Sequence, residues 1–456
     1  MKMNRQDYTN ISPGIDALTK RLEENSYIDP ELYSTYDVKR GLRDINGRGV
    51  LAGLTNIADV YAYEEVDGKS VPCPGKLFYR GYNMEDLVSD FVQNNRYGFE
   101  ETTYLLLTGD LPSKKNLAIF EEELAAHRFL PDGFVRDIIM ESPSNDVMNA
   151  IARSVLTLYT YDQRADDMAL DNLMRQSLQL IASFPSLAAY SYQAFNHYHN
   201  GNSMFLHNPP TNLSQAETLL YLIRPDKKYT ELEARTLDLC FVVHADHGGG
   251  NNSTFTTRVV SSTGTDTYSA VAAALCSLKG PKHGGANIKV RKMFEDMKAT
   301  VKDWKDDDEI AYYINNLLDK KAFDNSGLVY GMGHAVYSIS DPRATVLREF
   351  VRKLSDSKGR TDECTLYEKT EALASDIISK RRKIYKGVSA NVDFYSGFVY
   401  DMLDLPPELY TPIFAVSRIS GWCAHRLEEI YSQNKIIRPA YKNVAPQLPY
   451  IPLNDR

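Results

Sequence analysis

Residues 331–343 read Gly331-Met-Gly-His-Ala-Val-Tyr-Ser-Ile-Ser-Asp-Pro-Arg343, a stretch rich in turn-forming residues within a largely helical sequence. Two glycines before His334 predict a loop whose backbone amides are free to face a ligand. Asp341-Pro342 predicts a turn and the start of a helix, because proline is favoured at the first helical position. The helix dipole disfavours a cation at that end. Arg343 is therefore interpreted as an anion-binding residue, in preference to a surface arginine in a turn.

A second such stretch, Gly280-Pro-Lys-His-Gly-Gly-Ala-Asn287, precedes a predicted amphipathic helix. The apolar face of this helix is predicted to hold Val290, Met293, Phe294, Met297, Val301 and Trp304. His283 then lies at a helix N-terminus, where an imidazolium is disfavoured and a neutral imidazole can donate a hydrogen bond to a carbonyl. Three nearby glycines indicate close approach to the backbone. A capping or turn histidine is the simpler alternative.

The third stretch is Asn391-Val-Asp-Phe-Tyr-Ser-Gly397, and a later apolar helix contains Arg418. Asp393 lies between Val392 and Phe394, and partial desolvation would raise its pKa and its basicity. A guanidinium in so apolar a helix needs a partner if it is buried. Arg418 is read either as a ligand-binding residue or as a snorkelling or internally paired side chain.

Two histidines and an aspartate meet a glycine run in Val243-His-Ala-Asp-His-Gly-Gly-Gly-Asn251. An apolar helical run ends just before it. Taken alone, the stretch fits a helix C-cap with polar residues around it. Three potential ligands in four residues, His244, Asp246 and His247, also allow a metal-dependent hydrolase.

The composition narrows the class of protein. The chain is 43% hydrophobic and 25% charged, and its net charge is −8. An acidic chain is not expected to bind nucleic acid, and the absence of a long apolar run predicts no transmembrane helix. The N-terminus has no apolar signal region. The five scattered cysteines form no CxxC pair, which predicts reduced thiols in the cytoplasm.

Helical periodicity dominates the rest of the sequence. One stripe contains Leu366, Thr370, Leu373, Ile377 and Ile384, and another contains Ile310, Tyr313, Ile314, Leu317 and Leu318. Strand-like alternation is confined to residues 60–79, where Asp67-Gly68 predicts a hairpin turn. The sequence therefore predicts an all-α fold with one small β-hairpin near the N-terminus.

In this order along the chain, the four stretches resemble the citrate synthase family, from about Arg43 to the C-terminus. The resemblance implies an acyltransferase of the tricarboxylic acid cycle that condenses acetyl-CoA with oxaloacetate and hydrolyses the thioester to citrate and CoA. It implies a large helical domain of residues 1–286 and 392–456 and a small helical domain of residues 287–391. The catalytic residues it implies are His283, His334 and Asp393.

The family pattern also implies residues that bind the two substrates. It assigns oxaloacetate to His247, Arg343 and Arg418, together with Arg438 from the partner subunit of a homodimer. It assigns the adenine of CoA to the backbone of a loop made of Leu328, Val329, Tyr330, Gly331, Met332 and Gly333. It implies no metal and no cofactor beyond the CoA thioester, which is a substrate.

This chain departs from the family at a position that contacts CoA phosphate. Some members carry a basic residue between the GxGH histidine and the DPR arginine, where this chain has Ser338, Ile339 and Ser340. Lys386, seven residues before Asp393, is the expected substitute. Gly248 also stands where the family has glutamate, and the sequence offers no explanation for it.

Three alternatives remain open at this point. A 2-methylcitrate synthase would use propionyl-CoA and the same residues, and one methylene is worth only about 1–3 kcal/mol in a pocket. The metal-dependent hydrolase is disfavoured by the helical context and by the lack of a further His/Asp motif nearby. A catalytically silent homologue is disfavoured because every matched catalytic residue is present.

Overall fold

The computed structural model describes residue 9 and residues 11–44, 48–334, 336–384, 387–432 and 435–455. The chain forms two compact units, one from Met1–Ala52 and Arg438–Arg456 and one from Gly53–Ile437. In the first unit, helix α1 spans Pro13–Asn25 and helix α2 spans Glu31–Thr35, with 3₁₀ turns at Arg40–Leu42 and Leu453–Asp455. Ser12 caps α1 by accepting a hydrogen bond from the amide of Ile15.

The larger unit is helical except for one small sheet among its described residues. The strands are β1 (Ala58–Val66), β2 (Lys69–Tyr79) and β3 (Tyr82–Asn83). The α-helices are α3 (Met84–Gln93), α4 (Phe99–Thr108), α5 (Lys114–Ala126), α6 (Val147–Leu158), α7 (Leu170–Asn200), α8 (Gln215–Ile223), α9 (Glu231–His244), α10 (Asn252–Ser261), α11 (Thr267–Leu278), α12 (Ala286–Thr300), α13 (Asp307–Leu318), α14 (Pro342–Ser357), α15 (Thr361–Arg382), α16 (Val392–Met402) and α17 (Tyr410–Ser432). Shorter turns span Val135–Met140, Tyr159–Tyr161 and Pro407–Leu409. The predicted all-α class is confirmed, and no described helix is long and apolar enough to cross a membrane.

Strands β1 and β2 form the predicted hairpin. Their register pairs Ala58 with Tyr79, and the chain reverses at Asp67-Gly68, where both residues have positive φ. Strand β3 pairs with β2, so the strand order is β1-β2-β3. The hydroxyl of Tyr79 donates to the carbonyl of Val242 at 2.9 Å. The sheet is thereby anchored to the end of α9, where a predicted site segment begins.

Helix α17 lies at the centre of the core. Every residue from Tyr410 to Leu427 is buried, and the helix packs against α4, α7, α9, α10 and α11. A helix with apolar residues on all sides is expected to be enclosed in this way. Because Arg418, His425 and Arg426 lie in the same enclosed helix, each of them needs a polar partner.

Side-chain caps fix the start of two helices that carry predicted site residues. The carboxylate of Asp341 accepts a hydrogen bond from the amide of Arg343 at 3.0 Å, with Pro342 at the first position of α14. The side chain of Asn391 accepts one from the amide of Asp393 at 3.0 Å, at the start of α16. These caps satisfy amides that a helix end would otherwise leave unpaired. Arg343 and Asp393 thus lie in the first turns of their helices.

Helix α12 is shorter than its apolar stripe predicts. Val290, Met293, Phe294, Met297 and Val301 are buried as expected. The helix nevertheless ends at Thr300, and Trp304 lies outside it. Asp306 caps α13 through hydrogen bonds from two amides, so the chain must leave helical geometry before it.

Candidate active site

The loop before α14 holds His334 in a defined orientation. Its Nδ1 accepts hydrogen bonds from the amides of Val336 at 3.0 Å and Tyr337 at 3.1 Å. Two donors on Nδ1 place the proton of the neutral ring on Nε2. The ring also stacks on Tyr337, with 4.8 Å between centroids. His334 is therefore prepared to donate a hydrogen bond from Nε2.

His283 lies in the turn before α12, close to α10 and α17. Its Nε2 is 3.2 Å from the hydroxyl of Ser253, which also accepts a hydrogen bond from the indole of Trp422 at 3.1 Å. The single proton of Ser253 can go to His283 or to Asn251, whose Oδ1 is 3.0 Å away. Burial, together with the charge of Arg418, lowers the pKa of His283 to about 4. The ring is neutral at neutral pH, as its position near a helix start predicts.

Asp393 carries the properties of a general base. Burial raises the pKa of its carboxyl to about 6, and the charge of Arg343 partly offsets this rise. The residue is half-buried, but its Oδ1 is enclosed and has no hydrogen-bond partner among the residues that the structure describes. The desolvation expected from Val392 and Phe394 is thus present.

Arg343 is buried and held by its own helix cap. Asp341 accepts from its Nε at 3.0 Å and from its Nη2 at 2.7 Å. Although burial alone would lower it, the Asp341 carboxylate raises the pKa of Arg343 above its usual value. The Nη2 atom also lies 3.5 Å from Nε2 of His334. The predicted catalytic residue His334 and the predicted oxaloacetate-binding residue Arg343 are therefore neighbours.

Arg418 is fully buried, and only some of its hydrogen-bond donors are paired within the described residues. Its Nε donates to the carbonyl of His244 at 2.6 Å, whereas Nη1 and Nη2 have no partner among the described residues. Burial lowers its pKa to about 10, so it stays protonated at neutral pH. Nε2 of the buried His247 is also unpaired within the described part of the chain. Unpaired buried polar groups cost about 1–3 kcal/mol each, which indicates that a ligand with acceptor oxygens completes this pocket.

Aromatic contacts link these groups into one site. The rings of His247 and His334 are 5.2 Å apart. Phe414 lies between the other members: its ring is 6.3 Å from that of His283 and 4.8 Å from the guanidinium carbon of Arg418. The carboxyl of Asp393 lies near the charges of both Arg343 and Arg418 and so joins the two groups. The structure therefore brings together the predicted catalytic and substrate-binding residues of the larger unit.

A buried chain of side chains behind the pocket was not predicted from the sequence. Nε and Nη2 of Arg258 lie 3.1 Å and 2.7 Å from Nδ1 of His425. A guanidinium only donates, so the proton of His425 is on Nε2, which is 3.2 Å from Oδ2 of Asp246. Asp246 in turn accepts a hydrogen bond from the amide of Gly248 at 2.8 Å. This series of hydrogen bonds, from Arg258 through His425 to Asp246, fixes the turn that carries His247.

Gly421 allows this turn to approach α17. A Cβ atom at this position would lie 2.4 Å from the carbonyl oxygen of Ala245 and from Oδ1 of Asp246. The amide of Gly421 also donates to that carbonyl at 3.2 Å. The neighbouring glycine, Gly248, has a φ of +75°, which a glutamate would adopt only with strain. The positive φ at position 248 therefore accounts for glycine where the family has glutamate.

The metal-dependent alternative is not supported by the same residues. Nδ1 of His244 is engaged with the carbonyl of Cys240 at 2.8 Å, and Asp246 is engaged by His425. Burial lowers the pKa of His244 to about 3. Within the described ranges, no group of three His, Cys, Asp or Glu side chains is arranged to hold a metal ion.

The predicted CoA loop is tied directly to the segment that leads to Asp393. The amide of Gly333 donates to Ser389 at 2.7 Å, the amide of Asn391 donates to Gly331 at 2.8 Å, and Nδ2 of Asn391 donates to Gly333 at 2.9 Å. Gly331 has φ +82°, and a Cβ there would lie 2.9 Å from the ring of Phe394. Glycine is thus required by conformation and by contact.

Two predicted site residues stand apart from this description. Lys386 lies outside the described residues. Arg438 belongs to the unit formed by the chain ends, and its role stays a prediction. The boundaries of the large and small domains also stay a prediction.

Comparison of this chain with known proteins finds citrate synthases and a 2-methylcitrate synthase. The pattern of the family described as citrate synthase, C-terminal domain, matches residues 42–440. The citrate synthase of Haloferax volcanii is 35% identical over 426 residues, which cover 92% of this chain and 99% of that protein. The 2-methylcitrate synthase 2 of Corynebacterium glutamicum is 30% identical over 410 residues, 89% of this chain and 94% of that protein.

A solved structure shares the fold. It is the ternary complex of carboxymethyl coenzyme A and oxaloacetate with the citrate synthase of Thermoplasma acidophilum. The alignment has a TM-score of 0.74 and 25% identity, and it covers 92% of this chain and 99% of that one. Similarity therefore extends along almost the whole chain in sequence and in structure.

Proposed function

The chain belongs to the citrate synthase family, and from this premise we propose that it condenses acetyl-CoA with oxaloacetate and releases citrate and CoA. The observation that carries the proposal is the buried pocket in which two donor atoms of Arg418, Nη1 and Nη2, and the Nε2 atom of His247 have no partner among the described residues, with the charge of Arg343 nearby. Oxaloacetate is a dianion, and arginines bind carboxylates through paired hydrogen bonds. The proposal needs no metal and no cofactor besides the CoA thioester.

The geometry supports a role for each catalytic residue. The Asp393 carboxylate removes a proton from the methyl group of acetyl-CoA, and a neutral His283 donates a hydrogen bond to the thioester oxygen, which stabilises the enol. The enol carbon then bonds to the ketone carbon of oxaloacetate. His334 polarises that ketone through Nε2–H and gives a proton to the alkoxide that forms. Water hydrolyses the citryl thioester and liberates the thiol of CoA.

Ser253 supports this assignment for His283. If its hydroxyl proton is donated to Nε2 of His283, at 3.2 Å, Nδ1 of the imidazole carries the ring proton and is free to donate. The indole of Trp422 holds the Ser253 oxygen from the other side at 3.1 Å. In this arrangement the serine sets the tautomer that the reaction requires, whereas donation to Oδ1 of Asn251 would leave the ring proton on Nε2 of His283.

The test is a steady-state comparison of acetyl-CoA and propionyl-CoA with oxaloacetate, following thiol release. We expect a higher kcat/KM for acetyl-CoA. A preference for propionyl-CoA would assign 2-methylcitrate synthase instead, an alternative favoured by the 30% identical relative of that name. The difference of one methylene is worth about 1–3 kcal/mol in a pocket. No thiol release from either thioester would contradict the proposal.

We propose that the active form is a homodimer in which Arg438 of one subunit completes the site of the other. An apolar stripe on α10 supports association: Phe255, Val259 and Val260 are only half-buried, because the opposite face of the helix supplies the core contacts. Leu156 on α6 is 49% exposed. Such a stripe on a folded chain is a common feature of subunit contacts.

We further propose that the protein acts in the cytoplasm. All five cysteines are free thiols, and four of them are buried. Unpaired thiols are typical of a reducing compartment. Fractionation of the source cells checks the location, and recovery of the protein outside the cytoplasm would contradict it.

A further inference from the structure

Lys358 and Glu233 form an ion pair at the far end of two packed helices. Nζ of Lys358, which directly follows α14, donates to Oε1 of Glu233 in the first turn of α9 at 2.6 Å. The two helices pack against each other. At their other ends, α14 begins with Pro342 and Arg343, and α9 ends three residues before His247. The helices are therefore antiparallel, with the candidate active site at one end and the ion pair at the other.

The ion pair is too far from the candidate active site to touch a substrate. Helix α14 has 16 residues, so at 1.5 Å per residue it is about 24 Å long. Any effect of the pair on the reaction must pass through the helix. A tilt of α14 by about 5° at the Lys358 end would displace Arg343 by about 2 Å over that length. A misplacement of about 1 Å in an active site can cost a hundredfold in rate.

Glu233 is a fixed anchor within the predicted large domain. Its side chain is 4% exposed, and it accepts hydrogen bonds from the amide of Thr230 at 2.7 Å and from Nη1 of Arg224 at 2.9 Å. Nη2 of Arg224 also donates to the carbonyl of Leu403 at 2.9 Å. Burial would raise the pKa of Glu233, but the hydrogen bonds from Arg224 and Lys358 lower it to about 2. The carboxylate is therefore charged and held in place at neutral pH.

The turn after α14 belongs to the predicted small domain and contacts the predicted large domain at two points. At the first, Lys358 has one other carboxylate neighbour among the described residues, Asp404, which is 3.8 Å away and 83% exposed. Exposed ion pairs contribute little. At the second, Nη2 of Arg360 donates to Asp401 at 2.7 Å, and Arg291 also pairs with Asp401 at 3.0 Å. The link through Asp401 thus has two cations, whereas loss of Lys358 leaves the link to Glu233 without a replacement.

From this arrangement we propose that Lys358 and Glu233 are positioning residues for the binding of oxaloacetate. The proposal rests on the proposed function and deepens it. Their ion pair holds α14 and the loop before it where the ring of His334 lies 5.2 Å from that of His247, so that groups of both predicted domains face one ligand. Without the pair, α14 populates other inclinations, and oxaloacetate must restore the productive one with part of its binding free energy.

The variant Lys358→Gln removes the charge and keeps most of the side-chain stem. We expect KM for oxaloacetate to rise about tenfold, the lower end for a hydrogen bond to a charged group, because Lys358 is partly exposed. At saturating oxaloacetate, kcat should stay within about twofold of wild type, since the bound ligand restores the site. Lys358→Arg should recover most of the loss.

Lys369→Gln is the matched control. Lys369 is 30% exposed, against 28% for Lys358, but its partner, Asp307, lies in the same predicted domain. The control should therefore keep the wild-type KM for oxaloacetate. An unchanged KM in Lys358→Gln, an equal rise in Lys369→Gln, or a lower kcat with unchanged KM would each overturn the proposal.

Glu233→Gln provides a second variant, because glutamine can still accept the hydrogen bond from the amide of Thr230. It should raise KM for oxaloacetate at least as much as Lys358→Gln does. The double variant should lose no more than Glu233→Gln alone, because the two residues act as one pair. Fully additive losses would show that the two side chains act separately and would refute the pair.

Calorimetric titration of the full chain with oxaloacetate separates this proposal from the proposed function, because it needs no turnover. Unchanged affinity in Lys358→Gln, in a protein that releases thiol from acetyl-CoA, would refute the positioning role and leave the proposed function intact. Weaker binding in Lys358→Gln but not in Lys369→Gln, in a protein that releases thiol from neither acetyl-CoA nor propionyl-CoA, would support the positioning role and refute the function.

Discussion

At the scale of single residues, Asp393 has the combination of properties that its proposed role demands. Its carboxyl has a pKa raised to about 6 by burial, and Arg343 keeps it ionised at neutral pH. Asp393→Asn should lower the rate of thiol release on the order of a hundredfold or more, the usual effect of losing a general base. Calorimetric binding of oxaloacetate should persist, because the carboxylate pocket is built from other side chains. A variant within a few-fold of wild type would remove Asp393 from the mechanism.

The same pKa predicts a pH dependence of activity and of stability. The rate should fall as the pH drops through about 6, because the base becomes protonated. A carboxyl whose folded-state pKa is raised stabilises the fold below its unfolded pKa and loses that contribution as the pH rises through the folded value. Asp393→Asn should therefore melt at a higher temperature than wild type at pH 8 and at a similar temperature near pH 4. Thermal melts at both pH values check this, and equal melting temperatures at pH 8 would argue against a raised pKa.

His425 offers a test of the buried chain behind the pocket. His425→Ala removes one of the acceptors of Arg258, which keeps Glu428 and Glu429, and one of the two donors to Asp246, so the turn that carries His247 should loosen. We expect KM for oxaloacetate to rise about tenfold or more, with stability lowered by about 1–3 kcal/mol. His425→Gln can accept from Arg258 and donate to Asp246 and should recover much of both. If Ala and Gln variants have the same KM, the hydrogen bonds do not position the pocket.

The sequence revealed some residues of this site and hid others for a physical reason. His283, His334 and Asp393 stand in stretches where glycine, histidine and acidic groups interrupt helical periodicity, so their unusual chemistry is visible locally. Ser253 and Gly421 look like ordinary helix residues. Their roles come from contacts between distant parts of the chain, such as the Ser253–Trp422 hydrogen bond across 169 residues. One sequence without its fold carries no sign of such contacts.

At the scale of elements, the loop of residues 328–333 is held by two glycines with different requirements. Gly331 has φ +82° and packs against Phe394, whereas Gly333 has φ +89° and its nearest neighbour, Val388, would be 3.9 Å from a Cβ. We expect Gly333→Ala to lower the free energy of unfolding by about 1–2 kcal/mol, the cost of backbone strain alone. Gly331→Ala should lower it by more, because its Cβ would also collide with Phe394.

Chemical denaturation of the two variants measures this difference. We expect Gly331→Ala to be the less stable and to have the weaker affinity for acetyl-CoA, because the contact with Phe394 displaces the loop. Gly333→Ala serves as the matched control for strain. Equal stability of the two variants would show that the approach to α16 does not constrain the loop.

Elements with a strong local pattern were predicted well, and their ends less well. The hairpin followed from alternation and an Asp-Gly turn, and α13 from its apolar stripe. The sequence predicts that helix α12 reaches Trp304, because an apolar stripe carries no information about where the backbone leaves helical geometry. That point is fixed by competition with the Asp306 cap of the next helix.

At the scale of the whole molecule, the site predicts an order of substrate binding. Arg343 and His334 belong to the predicted small domain, and His247 and Arg418 to the predicted large one. A dianion that contacts both sets draws the domains together, and it favours the closed state by its extra contacts there. Acetyl-CoA should bind about tenfold more tightly in the presence of an unreactive oxaloacetate analogue. Equal affinity with and without the analogue would contradict ordered binding.

The proposed sharing of Arg438 has a direct test. Two inactive proteins, Asp393→Asn and Arg438→Ala, are co-expressed or refolded together. If the tail acts across the dimer, one site of each mixed dimer receives both defects and the other is intact. Random pairing should then restore about a quarter of wild-type activity. If Arg438 serves its own subunit, verified mixed dimers stay silent.

The arrangement of the chain ends was the part of the molecule least open to prediction. Residues before 53 and after 437 form one compact unit, yet the C-terminal segment has little periodicity from which pairing could be inferred. Contacts between segments so far apart in sequence have no local signature. The burial of α17 in the core, by contrast, is predicted by the apolar residues that lie on all sides of this helix.

The hydrogen bonds between residues 331–333 and residues 389–391 also constrain how this enzyme can diversify over evolutionary time. A substitution that reshapes the loop pulls on Asn391, the cap of the helix that begins beside Asp393. The proposed contact with CoA and the proposed proton abstraction are therefore inherited together through this loop. Relatives that accept longer acyl chains should therefore carry substitutions on other walls of the pocket. Substitutions in the loop would also impair activity, and selection would remove them.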